Sequence, residues 1–176
     1  MTAGRWAWAE IDTAAVAHNV ALLAERVAPA QVWAVVKADG YGHGAVVVAR
    51  AALAAGAAGL AVALVEEGIA LRDAGVDGDI LVLSQQPSEQ SDALVAARLT
   101  PTVYTAECAT AVSAAAPPGY PVHVKVDTGM HRVGVPAAEA VAFIAGLSEA
   151  APNLAVQGVF THLACADDPT DPATSE

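Results

Sequence analysis

The sequence predicts an α/β fold, a TIM-type (β/α)8 barrel that is incomplete in this chain, with about six of the eight units and a short strand ahead of them. Three observations predict it. Short, wholly apolar runs alternate with helical segments, the pattern of a parallel sheet covered on both faces. Residues capable of chemistry, Lys37, Lys125 and His162, stand at the C-terminal ends of three of those runs, where a barrel carries its site. The GxGxxG fingerprint that a doubly wound nucleotide-binding sheet shows after its first strand is missing.

Each element has its own justification. Residues 6–11 read as a short strand. Asp12 can cap a helix over 13–28, whose Val16, Val20, Leu23 and Val27 keep helical spacing, and Pro29 stops it. The apolar run 32–36 is the first strand buried on both faces, followed by a glycine-rich loop at 39–44 and an alanine-rich helix to 55. The runs 60–64, 80–83, 102–104, 122–126 and 156–161 are the later strands, 102–104 being the weakest; helices near 66–74, 88–97, 106–115 and 136–150 separate them. Residues 1–28 are thus expected to form an N-terminal strand and helix, and residues 29–176 a partial barrel. The polar tail from Ala166, with Pro169 and Pro172, offers no closing element, so the chain reads as unfinished, with two apolar sheet edges left open.

Composition narrows the function. Of 176 residues, 55% are hydrophobic and 15% charged, enough for one sizeable core and too apolar for disorder. A net charge of -11 repels nucleic acid and anionic membrane, leaving a small molecule or another subunit as the expected partner. Cys108 and Cys165 form no CxxC pair, which fits a reduced, cytoplasmic setting. The first ten residues lack a basic region followed by an apolar one, so no signal peptide is expected. The longest apolar run, 51–65, falls short of the roughly 20 residues of a spanning helix, and Gly56 and Gly59 interrupt it.

Lys37 and Lys125 are the only lysines beside six arginines. Ordinary surface charge is therefore met by arginine, and the two lysines mark positions where an amine is needed, since a guanidinium is no amine nucleophile. Lys37 lies in Ala34-Val-Val-Lys37-Ala-Asp-Gly-Tyr41-Gly-His43-Gly44. Burial where a dry strand meets a loop disfavours its charged form, leaving free amine to attack an aldehyde. The glycines permit close backbone approach to a phosphate, and Tyr41 offers a hydroxyl nearby. A second segment is Lys125-Val-Asp127-Thr-Gly129-Met130-His131-Arg132-Val-Gly134, in which the planar guanidinium of Arg132 suits paired oxygens. A third is Gly158-Val-Phe-Thr161-His162-Leu-Ala-Cys165-Ala-Asp167. Cys165 and His162 could suggest a thiol nucleophile with its base, but no oxyanion or orienting motif accompanies them. His123 and His131 have no role in this reading. Glu66 and Glu67 read as a solvated helix start, and no ligand cluster points to a metal.

Together the three segments, in order and spacing, resemble those of the alanine racemases. The resemblance covers nearly the whole chain and includes the opening strand and helix around Trp8, Glu10, Asp12, His18 and Asn19. It implies pyridoxal 5'-phosphate as cofactor and Lys37 as its Schiff-base lysine and one catalytic base. It implies that Tyr41 bonds the cofactor phosphate, that His162 stacks on the pyridine ring, and that Arg132 contacts the phenolic oxygen and the substrate carboxylate. In some members the lysine corresponding to Lys125 is carbamylated and supports that arginine. The implied activity is interconversion of L- and D-alanine, supplying D-alanine for the cell wall, in a homodimer whose second base is a tyrosine of a C-terminal β-domain. That domain, a Ser-rich loop, a late glycine loop and an arginine facing the pyridine nitrogen are expected to be missing from residues 1–176, which alone should be inactive. The alternatives are a non-catalytic pyridoxal-phosphate-binding barrel, whose members lack the Asp-Gly-Tyr-Gly-His-Gly run, and an inert fragment.

Overall fold

The structure is a computed structural model that describes residues 7–168 and 170–174. Helix α1 (Thr13–Val27) starts under Asp12, whose carboxylate accepts from the Ala14 and Ala15 amides at 2.8 and 3.2 Å. Strands β1 (Trp33–Val35), β2 (Gly59–Val62), β3 (Asp79–Val82), β4 (Thr100–Val103) and β5 (Tyr120–Asp127) pair in chain order, all parallel. A two-residue β6 (Val135–Pro136) adds to the end of β5, and β7 (Leu154–Phe160) pairs with the remaining length of β5, again parallel. Between them lie a single turn α2 (Lys37–Tyr41) and helices α3 (Ala45–Ala54), α4 (Val65–Asp73), α5 (Ser91–Ala96), α6 (Ala106–Ala115) and α7 (Ala140–Ala150). This is the expected partial barrel: setting aside the two-residue β6, six strands are described, and each but β7 leads on to a helix. Among the described residues β1 and β7 each have one strand partner, so the sheet is open.

Two buried clusters hold the strands to the helices. Leu60, Val62, Ile80 and Val82 of β2 and β3 pack with Leu71, Leu94 and Leu99, all at most 1% exposed. Val103, Val122 and Val124 pack with Val112 and Leu147 of α6 and α7. Burying each such side chain contributes roughly 1.5–3 kcal/mol, which is why apolar runs as short as four residues make stable strands here. Val20 anchors α1 on Ala52 of α3. The strand that looked weakest, β4, is buried throughout, because the Thr102 hydroxyl donates to the Val82 carbonyl at 2.6 Å and so enters the core satisfied.

Three expectations change. No strand forms over residues 7–12, and Trp8 is 80% exposed; Trp6 lies outside the described residues. An extended segment becomes a strand only against a partner edge, and none of the described strands runs beside it. Strand β1 is not buried on both faces: Val35 is exposed, because β1 is an edge and one of its faces looks into an open cavity. The stretch 39–44 is not simply a glycine loop, since α2 and the residues after it form a tight left-handed turn.

Gly59 sits under the Trp33 indole, where a Cβ would lie 2.7 Å from the ring. Gly59→Ala should therefore cost about 1–3 kcal/mol by overpacking. Gly146, exposed in α7 with nothing within 4 Å of a Cβ, should instead gain about 0.5–1 kcal/mol on replacement by alanine. Denaturant unfolding of both variants checks the opposite signs.

Candidate functional site

Because every strand runs the same way, all strand-to-helix connections leave from one rim, and the site forms there. A cavity of about 320 Å³ opens at that rim. Val35 and Lys37 line it from the end of β1, Ala63 from β2, Leu83 and Ser84 from β3, Lys125 from β5, and Phe160, Thr161 and His162 from β7. Tyr41 and Arg132 enter it from loops. Residues that the sequence marks in three distant segments, Lys37, Tyr41, Lys125, Arg132 and His162, thus meet around one volume. Small-molecule sites run from about 300 to 1,000 Å³, so the cavity suits a small ligand.

Lys37 follows the buried Val36 and enters a strained turn. Ala38, Asp39, Gly40 and Tyr41 all have positive φ, between 51° and 63°. Three of these four are not glycine, and each left-handed non-glycine residue costs roughly 1–2 kcal/mol. The turn is paid for by hydrogen bonds. The Asp39 carboxylate accepts from the Ala45 amide at 2.8 Å, starting α3, and the Gly42 and Gly44 amides donate back to the carbonyls of Ala38 and Asp39. His43 Nδ1 lies 2.9 Å from the Gly40 carbonyl. The Lys37 amine comes to 6.0 Å from the centre of the Tyr41 ring.

Lys125 is 5% exposed and points inward from β5, its amine 4.6 Å from the centre of the Phe160 ring. Burial, and then the like charge of Arg132, hold its pKa below the usual lysine value; Asp127 opposes them more weakly. Asp127 does not pair with Arg132. Its Oδ1 accepts from the Gly129 and His131 amides at 3.1 and 3.0 Å, and its Oδ2 lies 3.5 Å from the His131 ring. Those amides, His131 first, draw its pKa below the ordinary carboxylate range. The loop is fixed at its far end by Gly134, at φ +135°, where a Cβ would meet the Asp127 amide nitrogen at 2.6 Å. Among the described residues Arg132 has no carboxylate partner. Its guanidinium remains open to a ligand's oxygens. The Thr128 and Thr161 hydroxyls, 2.7 Å apart, tie this loop to the end of β7.

Sequence reasoning missed several participants. Phe160 and Thr161 read as strand residues, although they border His162. Ser84 lies one position beyond the end of the third apolar run. His123 is half-buried between Trp33 and Phe160, with ring centres 5.8 and 6.2 Å away, and desolvation lowers its pKa. Its ring takes the space above Gly158, which the sequence pattern alone did not reveal. Glu67 is not merely solvated: its carboxylate accepts backbone N–H groups from two strand ends. Cys165 is no activated nucleophile, since the neighbouring carboxylate of Asp171 raises the thiol pKa. A second cavity, about 360 Å³, opens at the opposite rim beside Arg72 and Tyr120. Arg72 spends its guanidinium on the carbonyls of Val76, Ala97 and Arg98, and Tyr120 donates to Leu99, so that rim is built as structure.

Residues 11–176 match the family model described as alanine racemase, N-terminal domain. The alanine racemase of Thermobifida fusca is 46% identical over 175 residues, covering 97% of this chain and 47% of that protein. That of Geobacillus stearothermophilus is 43% identical over 167 residues, covering 92% of this chain and 42% of the relative. Among solved structures, alanine racemase from Bacillus anthracis with bound L-Ala-P superposes with a TM-score of 0.86 at 31% identity, covering 98% of this chain and 45% of that one. The Enterococcus faecalis enzyme (E.faecalis) gives 0.84 at 38% identity, with 94% and 46% coverage. The chain spans about half the length of the curated relatives it matches.

The lowered pKa of Lys125 makes a stability prediction. Between that lowered value and the ordinary one near 10.5, the unfolded chain holds more protons, so stability rises with pH. Lys125→Met removes this titration. In bicarbonate-free buffer the variant should be more stable than the parent at neutral pH, and its advantage should shrink as pH rises toward 10.5. Denaturant midpoints across that range test this, and a gap independent of pH would refute it.

Proposed function

Because the chain belongs to the alanine racemase family, we propose that the protein containing these residues interconverts L- and D-alanine with pyridoxal 5'-phosphate held on Lys37. The observation that carries the reading is the convergence of Lys37, Tyr41, Lys125, Arg132 and His162 on one cavity. The donor set fits the cofactor. An amine at the end of β1 suits its aldehyde, and a planar ring finds Phe160, Leu83 and Val35 as apolar walls. Arg132 and the Tyr41 hydroxyl suit its anionic oxygens, and His162 offers a flat ring at the mouth.

When bound, pyridoxal 5'-phosphate supplies an electron sink that makes the proton on alanine Cα removable. The chain's own residues would serve one face of the reaction. Lys37 Nζ would hold the cofactor by its aldehyde, and the same amine, when free, would take a proton from alanine Cα, or return one, on the D-alanine face. Arg132 binds the alanine carboxylate and orients Cα, its paired N–H groups matching the two oxygens. Tyr41 would donate to the cofactor's phosphate, and His162 would lie against its ring. Inversion also needs a base on the opposite face. We assign it, with the homodimer, to parts of the protein beyond residues 1–176, so these residues alone are expected not to racemise alanine. The raised share of neutral amine on Lys125 lets it add carbon dioxide and release a proton. The resulting carbamate would replace a like charge beside Arg132 with an opposite one.

The test is alanine racemisation, followed by circular dichroism, with the full-length gene product. Wild type should racemise, and Lys37→Ala should lose turnover. Arg132→Lys keeps the charge but loses the paired geometry, and should lower kcat/KM by about 1.5–3 kcal/mol. Covalent cofactor capture without turnover in wild type would favour the non-catalytic binding barrel and refute the proposal.

A further inference from the structure

We propose that Glu67 is a positioning residue for Lys37, anchoring the left-handed turn that aims the amine and the Tyr41 hydroxyl into the cavity. The inference rests on the reading of Lys37 just given. Glu67 is the third residue of α4, at the end of the neighbouring strand. Its Oε1 accepts from the Ala38 amide at 2.6 Å, across 29 residues of sequence. Its Oε2 accepts from the Ala63 and Leu64 amides at 2.8 and 3.1 Å. One carboxylate therefore joins the amide directly after Lys37 to the end of β2 and the start of α4, with both oxygens used.

What it anchors is strained. Ala38, at φ 51° and ψ 49°, is the first left-handed residue, and Asp39 and Tyr41 follow in the same region. Such a run persists only where its surroundings fix it. Apart from the Glu67 contact, the hydrogen bonds described on residues 38–44 stay within residues 36–48; the Gly40 amide reaches the sheet only through Val36, whose own amide donates to Ala61, so Glu67 is the direct hydrogen bond described from the turn to the neighbouring unit. It grips the turn at the amide of the peptide that joins Lys37 to Ala38. Glutamine cannot replace it, because its amide nitrogen would face an N–H donor.

The test uses the full-length protein prepared without cofactor. Hydrogen exchange at the Ala38 amide should be slow in wild type although that residue is exposed. In Glu67→Gln it should speed up about tenfold or more, the Leu60 amide remaining unchanged. The initial rate at which Lys37 captures pyridoxal 5'-phosphate, followed by absorbance, should fall by a similar factor. Adding Ala38→Gly, which occupies positive φ without strain, should restore much of that rate in the glutamine variant. Unchanged Ala38 exchange in folded Glu67→Gln overturns the proposal, as does a lost capture rate that Ala38→Gly fails to recover. If the glutamine variant does not fold, wild type decides: unprotected exchange at Ala38 overturns the anchor, and slow exchange supports it. Failure of wild type to capture the cofactor at Lys37 overturns the functional reading, while Ala38 exchange still judges Glu67.

Discussion

Parallel pairing of β5 with β4 on one side and β7 on the other sets Lys125 level with Phe160 and brings the ends of β5 and β7 to the same rim as the end of β1. Everything at the site depends on that register. An antiparallel neighbour would send its following loop to the far rim, and a slip of one residue would turn Lys125 from the cavity into the helix layer. The ladders are held by the apolar contacts of Val122 and Val124 with α6 and α7, so the same valines that bury the sheet also place the amine. Packing and function share one set of contacts, which leaves the loops free to carry chemistry.

The loops use charge in a consistent way. Asp39, Glu67 and Asp127 stand close to the cations of the cavity, yet each spends its carboxylate on backbone N–H groups. Those bonds hold conformations that the backbone resists: the left-handed turn after Lys37, and the loop from Asp127 to Gly134, where His131 also has positive φ. The consequence is electrostatic. Carboxylates satisfied by amides do not neutralise Lys37, Lys125 or Arg132, so an acidic protein presents a cationic cavity at this rim. Such a cavity suits an anionic ligand. The lowered pKa of Lys125, pushed down by burial and by Arg132, is the local cost of crowding those cations together.

Much of this was legible in the sequence, for physical reasons. Buried parallel strands need continuous apolar runs, and β2, β3 and β5 were found within two residues of each end on that signal alone. Lys37 and Lys125 stood out because lysine is rare in this chain, and Gly40, Gly42 and Gly44 flag unusual backbone after Lys37; the parts expected of Tyr41, Arg132 and His162 came from the resemblance to the alanine racemases. Two kinds of feature were hidden. Pairing partners do not appear in a local pattern, so the expected strand before α1 has none among the described residues, and β6 was absorbed into a loop. Long-range hydrogen bonds leave no periodic trace either: Glu67 reads as any glutamate in a first helical turn, although Ala38 lies 29 residues away. His123 escaped for the same reason, its neighbours Trp33 and Phe160 coming from two other strands.

The central claim is that the amine at the end of β1, and not the one buried in β5, is the group built to hold an aldehyde. With only two lysines in the chain, the choice can be read directly. The protein is incubated with pyridoxal 5'-phosphate, reduced with borohydride and mapped by peptide mass. The account predicts a single pyridoxyl lysine, at Lys37, and loss of that label in Lys37→Ala. Labelling at Lys125, or equal labelling of both lysines, would contradict it.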